Sequence, residues 1–161
     1  MRIAEIAVVG ADKRTKLEFI DAVCDELVFQ TDKLIFGRLQ VNPQLMIHLY
    51  GLELSDRLTP SWDLVSKKLL GYVVLFDWEN QQAYEAARAN VESLSERYAL
   101  PLVIAAALPN GHTEVPDQLV KAAFDLSEQG QFTFYKLSDP PSIKGVLVKL
   151  LNAVLETTNR A

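Results

Sequence analysis

RIAEIAVVGADKRTK, residues 2–16, is the stretch that decides the fold. Arg2–Val9 is a β-branched apolar run that ends at Gly10, which is typical of a buried strand. The apolar residues that follow it are spaced three and four apart, which predicts one face of a helix; they are Phe19, Ile20, Val23, Cys24 and Leu27. Residues 10–16 therefore form a polar connection from a strand to a helix, where α/β proteins bind ligands.

The rest of the chain alternates between the same two periodicities. Phe36–Val41 and Leu45–Tyr50 are predicted strands joined by Asn42 and Pro43, a connection so short that the two must pair antiparallel. Later apolar runs predict three more strands, and three- and four-residue spacings predict further helices. The strands are Tyr72–Asp77, Pro101–Ala107 and Phe132–Leu137; the helices are Ser61–Leu70, about 80–98, Val115–Leu126 and a last one carrying Ile143 to Leu155. We expect a single α/β domain over residues 1–161, in three layers, with a six-stranded, mostly parallel sheet and one antiparallel hairpin strand.

Composition excludes several classes of function. Sixteen Lys and Arg against 21 Asp and Glu give the 161 residues a net charge of −5, which argues against binding nucleic acid or anionic membrane. One cysteine, Cys24, rules out an internal disulfide and suits a cytoplasmic protein. The apolar runs are shorter than the roughly 18 residues of a membrane span. His48 and His112 have no carboxylate at ligand spacing, so no metal site is expected.

The loop after the first strand partly matches a phosphate-binding loop. Such a loop needs glycines, a lysine for the terminal phosphates, and a hydroxyl residue for magnesium. Gly10 and Lys16 hold their places six residues apart, but Thr15 replaces the second glycine and Leu17 the hydroxyl residue. Lys13 adds another cation. On these residues alone, a degenerate phosphate site and a plain polar turn remain equally open.

Across nearly its full length the chain resembles the Ras-like small GTPases. Its local sequence motifs resemble those of the bacterial Rab/Arf-like, gliding-motility-type branch of that superfamily. The resemblance rests on IAVVGADKRTKLEFI, on LYGLELSDRL as the second switch, on GYVVLFD and LPLVIAAALPN as the fourth and fifth strands, and on SDPPSIKGVLVKLLNAVL. It implies a P-loop NTPase fold of the Ras-like G-domain type. It also implies a nucleotide site made by Gly10, Lys13, Thr15, Lys16, Thr31, Asn110 and Ser138.

Against that family's motifs, however, five functional positions are altered together. Besides Thr15 and Leu17, Leu54 stands where the second switch has glycine, and Ser55 where a glutamine orients the attacking water. The guanine-reading motif has become 107–110, Ala-Leu-Pro-Asn. Thr31 is open to two interpretations, the magnesium-sensing threonine of the first switch or a polar residue at a helix end. We therefore expect little or no GTP hydrolysis and at most weak binding of GTP or GDP.

The expected function is that of a pseudo-GTPase, a signalling or scaffold module that binds a protein. The partner surface is predicted in the second switch, at Leu52, Leu54, Leu58 and Trp62, where apolar side chains alternate with charged ones. The resemblance implies a Roadblock/longin-type protein as the partner. Two alternatives stay open: a working nucleotide switch with a non-standard loop, and an enzyme of another doubly wound family, for which the sequence offers no catalytic cluster.

Overall fold

The computed structural model describes residues 2–10, 13–31, 34–53, 68–78, 82, 85–89, 91, 100–108 and 130–160. In this part of the chain a sheet is flanked by helices. The strands are β1 (Arg2–Gly10), β2 (Glu26–Gln30), β3 (Leu34–Asn42), β4 (Leu45–Leu52), β5 (Leu69–Asp77), β6 (Leu102–Ala107) and β7 (Gly130–Tyr135). Two helices have both ends within the described residues, α1 (Lys13–Val23) and α2 (Pro140–Arg160), and residues 85–89 are also helical.

The sheet separates two apolar layers because alternate residues of each strand point to opposite faces. On one face, Ile6 and Val8 of β1 pack in a layer that also holds Phe19 of α1 and Val146 of α2. On the other face, Ala7 and Val9 of β1 belong to a layer with Tyr72, Phe76, Ala87 and Val91. Helical residues therefore cover both faces, which explains why β1, β5 and β6 are apolar almost throughout.

The expected six-stranded Ras-like sheet with one antiparallel strand is wrong. The sheet has seven strands in the order β2-β3-β4-β1-β5-β6-β7. Two of its six pairings, β2 with β3 and β3 with β4, are antiparallel, and the other four are parallel. The fold is α/β with a mixed sheet, and the hairpin predicted around Asn42 and Pro43 is confirmed as its β3–β4 pair.

The additional strand is β2, which the sequence predicted as the end of the first helix. Leu27 continues the three-and-four spacing of Val23 and Cys24, but α1 ends at Val23. The chain turns there: the Cys24 N–H still donates to Ile20 O at 3.0 Å, whereas the Asp25 N–H donates to Arg38 O of β3 at 2.9 Å. Backbone pairing with β3 thus overrides a helical spacing that Leu27 satisfies by coincidence.

A second correction concerns the helix predicted over Ser61–Leu70. Leu69 and Leu70 belong to β5, and residues 61–67 lie outside the described residues. Gly71, the residue directly after the predicted helix, lies inside β5. A Cβ atom there would stand 2.9 Å from both Leu150 Cδ1 and Pro101 O. Gly71 is therefore explained by the close approach of α2 and of the chain before β6 to β5.

The other predicted elements agree with the structure within a few residues. Strands β1, β6 and β7 and the last helix are confirmed, and β5 begins three residues before the predicted Tyr72. Gln82, residues 85–89 and Val91 are helical, as expected within 80–98, whereas the helix predicted over Val115–Leu126 lies outside the described residues. None of the helices in the described ranges is both long and apolar enough to cross a membrane.

Candidate functional site

Gly10 ends β1 at a point where no other residue fits. Its φ is +135°, a backbone conformation that L side chains rarely adopt, and a Cβ atom would lie 2.1 Å from the carbonyl oxygen of Leu75 on β5. Gly10 is also paired with Leu75 in the β1–β5 register. Strand packing is therefore sufficient to require a glycine at position 10, the residue that the sequence assigned to phosphate binding.

Lys16 is buried one turn into α1, and its side chain is only 3% exposed. Its Nζ donates to the carboxylate oxygen Oε1 of Glu53 at 2.5 Å and to the backbone oxygen of Leu52 at 3.2 Å. A buried ammonium needs a counter-charge and hydrogen-bond acceptors to offset its lost hydration. Both come from the carboxyl end of β4, so the lysine predicted to hold phosphates is bound instead by a carboxylate of its own chain.

The space around this ion pair is small. A pocket of about 10 Å³, partly open to solvent, lies among Lys13, Lys16, Thr31 and Glu53 and is also lined by Leu34, Ile35 and Gly51. A volume of that size holds roughly one water molecule. The structure thus brings three of the predicted nucleotide-site residues, Lys13, Lys16 and Thr31, to one small pocket beside the Lys16–Glu53 pair.

Thr31 has a local structural role. Its Oγ1 accepts a hydrogen bond from the Leu34 N–H at 3.0 Å and donates to the Leu34 oxygen at 3.3 Å, and its own N–H donates to the same oxygen at 2.8 Å. These bonds close the turn between β2 and β3. Thr31 therefore follows a strand, and neither a helix end nor a magnesium ligand is needed to explain it.

The remaining predicted residues are dispersed or not described. Thr15 is half-buried within α1, and Ser138 is exposed in the turn between β7 and α2. Asn110, Leu54, Leu58 and Trp62 lie outside the described residues. Leu52 was predicted on the partner surface, but it is 2% exposed and packs in the apolar layer with Val9, Tyr72 and Phe76.

The sequence did not identify Glu53 as a site residue, although its carboxylate is the ionic partner of the buried Lys16 ammonium. Thirty-seven positions separate the two residues, so no local motif connects them. The available signal was topological: β1 and β4 are parallel neighbours, and their carboxyl ends meet at the same edge of the sheet. An acid directly after one strand and a lysine in the first helical turn after the other are then placed to meet.

A second polar cluster lies on the opposite side of β4 from α1. The register pairs Glu5 with His48, whose Nδ1 is 3.6 Å from Glu5 Oε2. The rings of Phe36 and Tyr50 stack at 5.0 Å between centroids. Burial, a hydrogen bond to Glu5 and the charge of that carboxylate all raise the pKa of the Tyr50 hydroxyl above its ordinary value.

This cluster offers one histidine and one carboxylate. No group of three or more His, Cys, Asp or Glu side chains in the described part of the chain could hold a metal ion. The stacked Phe36 and Tyr50 rings are a cross-strand pair of the antiparallel strands β3 and β4, a contact that stabilises a sheet.

The chain matches no model of a protein family, and no curated protein is significantly similar to it in sequence. The geometry of the Lys16 site is therefore the observation from which a function is inferred.

Proposed function

We propose that this protein is a small-GTPase-like signalling or scaffold module that binds a protein partner without using a nucleotide. One observation carries the proposal: the lysine that would hold the terminal phosphates is buried and bound to Glu53. A phosphate entering this site would have to displace a carboxylate that lies 2.5 Å from Nζ. The sequence supports the same conclusion, since Leu17 offers no oxygen to magnesium.

The partner surface in this proposal is the segment after β4, with Leu54, Leu58 and Trp62 as apolar anchors and a Roadblock/longin-type protein as the first partner to test. Leu52 is excluded because it belongs to the core. In small GTPases, the γ-phosphate orders the switch loops. In this protein the ion pair with Lys16 holds Glu53, the first residue after β4, in the place where a nucleotide would act in a small GTPase.

The first test is a titration with fluorescent GTP and GDP analogues, with and without magnesium, beside a phosphate-release assay. We expect no saturable binding up to about 1 mM, a limit of about −4 kcal/mol, and no phosphate release. Magnesium-dependent binding of GTP tighter than about 10 μM, roughly −7 kcal/mol, would contradict the proposal and favour the alternative, a nucleotide switch with a non-standard loop.

The second test measures binding to a purified Roadblock/longin-type protein. Leu54→Asp and Leu58→Asp are expected to abolish binding while the melting temperature stays within a few degrees of wild type. Leu137→Asp is the matched control, because Leu137 is an exposed leucine in the turn after β7. Binding that survives both substitutions in a folded protein rules out this segment as the partner surface.

A further inference from the structure

The exposed apolar side chains of the described residues are concentrated at one end of the sheet. Eight large hydrophobic residues are exposed in that part of the chain, and five of them line two adjacent cavities. These five, between 40% and 58% exposed, are Ile3, Val41, Leu70, Val148 and Leu155. Clustered apolar exposure of this kind marks an interaction site, whereas single exposed apolar residues do not.

The two cavities form one groove along α2, which we call the α2 groove. The larger cavity, about 660 Å³, lies between the start of β1, the β3–β4 turn, Leu70 of β5 and the last turns of α2. The smaller, about 210 Å³, lies between β3, β4 and the middle of α2. Leu151 lines both cavities, which therefore lie side by side along α2.

The shape of the α2 groove fits a helix of another protein. Its floor is apolar, from Leu147 to Leu155 along α2, and its polar residues include Asn42 and Gln44 at the β3–β4 turn. A small-molecule site has a few polar groups that converge on the ligand. An elongated apolar groove bordered by polar side chains is instead the form that receives the apolar face of an amphipathic helix.

The charges beside the groove indicate which kind of helix. Two of the described lining residues are charged, and both are basic: Arg2 in the larger cavity and Lys144 in the smaller one. This local excess of positive charge contrasts with the net charge of −5 of the whole chain. Opposite charges across an interface favour encounter and select among partners.

We propose that the α2 groove binds an amphipathic helix of a partner protein, with leucine-like residues on its apolar face and acidic residues flanking that face. The groove lies where β1 and β4 begin, whereas Lys16 and Glu53 lie where these strands end. The nine residues of β1 separate the two ends by roughly 30 Å. The groove is thus a second docking site, independent of the segment after β4.

The test is selection from a displayed library of helices of about 18 residues, or about five turns, with leucine fixed on one face and every other position random. We expect selection against the wild-type protein to enrich Asp and Glu beside the leucines. The best selected peptide, made synthetically, should bind about tenfold or more weakly to Val148→Glu and to Leu155→Glu. Leu137→Glu, an exposed leucine outside the groove, is the control and should bind like wild type.

Charge reversal keeps the test decisive if an α2 variant fails to fold. Arg2→Glu with Lys144→Glu leaves the apolar floor intact and should shift the enrichment from acidic to basic residues. No enrichment, or the same enrichment against Leu155→Glu, overturns the proposal. Two other results overturn it by identifying another occupant: wild-type self-association in sedimentation that Leu155→Glu abolishes, or binding to phosphatidylserine vesicles that the same substitution abolishes.

Discussion

Replacing Glu53 with alanine is expected to destabilise the protein more than replacing Lys16 with methionine. The asymmetry follows from burial: the Lys16 side chain is 3% exposed and the Glu53 side chain 39%. In Glu53→Ala the buried ammonium keeps one hydrogen-bond acceptor among the described residues, the Leu52 carbonyl, 3.2 Å away. In Lys16→Met the released carboxylate is hydrated, and an apolar chain of similar length fills the space of the lysine stem.

The magnitudes follow from the same contacts. Removing one partner of a fully buried pair costs about 3–5 kcal/mol. Because Glu53 is partly exposed, water can reach its place, and we expect about 2–3 kcal/mol for Glu53→Ala, near the cost of losing a hydrogen bond to a charged group. For Lys16→Met we expect about 1 kcal/mol or less, as for a solvent-exposed ion pair.

Urea titrations followed by circular dichroism, together with thermal melts, measure these differences. At about 2–4 °C per kcal/mol for a chain of this size, Glu53→Ala should lower the melting temperature by roughly 4–12 °C and Lys16→Met by at most about 4 °C. The double variant should be more stable than Glu53→Ala, because it removes the unpaired charge. Equal losses in the two single variants, or a double variant that loses their sum, would refute the buried pairing of Lys16.

Three further outcomes are expected. Gly10→Ala should prevent folding or cost several kcal/mol in the same urea titrations, because its Cβ atom would stand 2.1 Å from the carbonyl oxygen of Leu75. Gly145→Ala is the matched control: no atom lies within 4 Å of the added Cβ, so it should stabilise α2 by about 0.5–1 kcal/mol. Burial, with the nearby carboxylates of Asp25 and Asp21, raises the pKa of the Cys24 thiol to about 12 from 9.0. The thiol of the unfolded chain therefore ionises at lower pH than the folded one, and the free energy of unfolding should fall as pH rises from about 9 towards 12. Cys24→Ala should remove this pH-dependent loss of stability. The same pH profile in the variant and in wild type would contradict the prediction. Burial and the Glu5 carboxylate raise the pKa of the Tyr50 hydroxyl above its ordinary 10.0, so stability should fall as pH rises above about 10 and Tyr50→Phe should remove that component; the same pH profile in the variant and in wild type would speak against it.

The sequence by itself was sufficient for the α/β class and for most strands. An all-apolar run such as Val73–Phe76 is buried on both faces in almost any sheet, so local composition predicts it. The antiparallel β3–β4 pair was predictable for a similar reason, because two residues between strands permit no other pairing. Helix α2 was predictable from the spacing of Ile143, Val146, Leu147 and Leu150 alone.

Only the tertiary structure decided the end of α1, the partner of Lys16 and the position of the α2 groove. Leu27 suits a helix face and a strand equally, and its pairing with Gly37 of β3 selects the strand. The sequence pattern predicts Lys16 as a phosphate ligand. The parallel pairing of β1 and β4 instead brings the Glu53 carboxylate into contact with it. The physical reason is that periodicity records which side of an element is buried, whereas the register between distant strands determines which charges and which exposed apolar residues become neighbours.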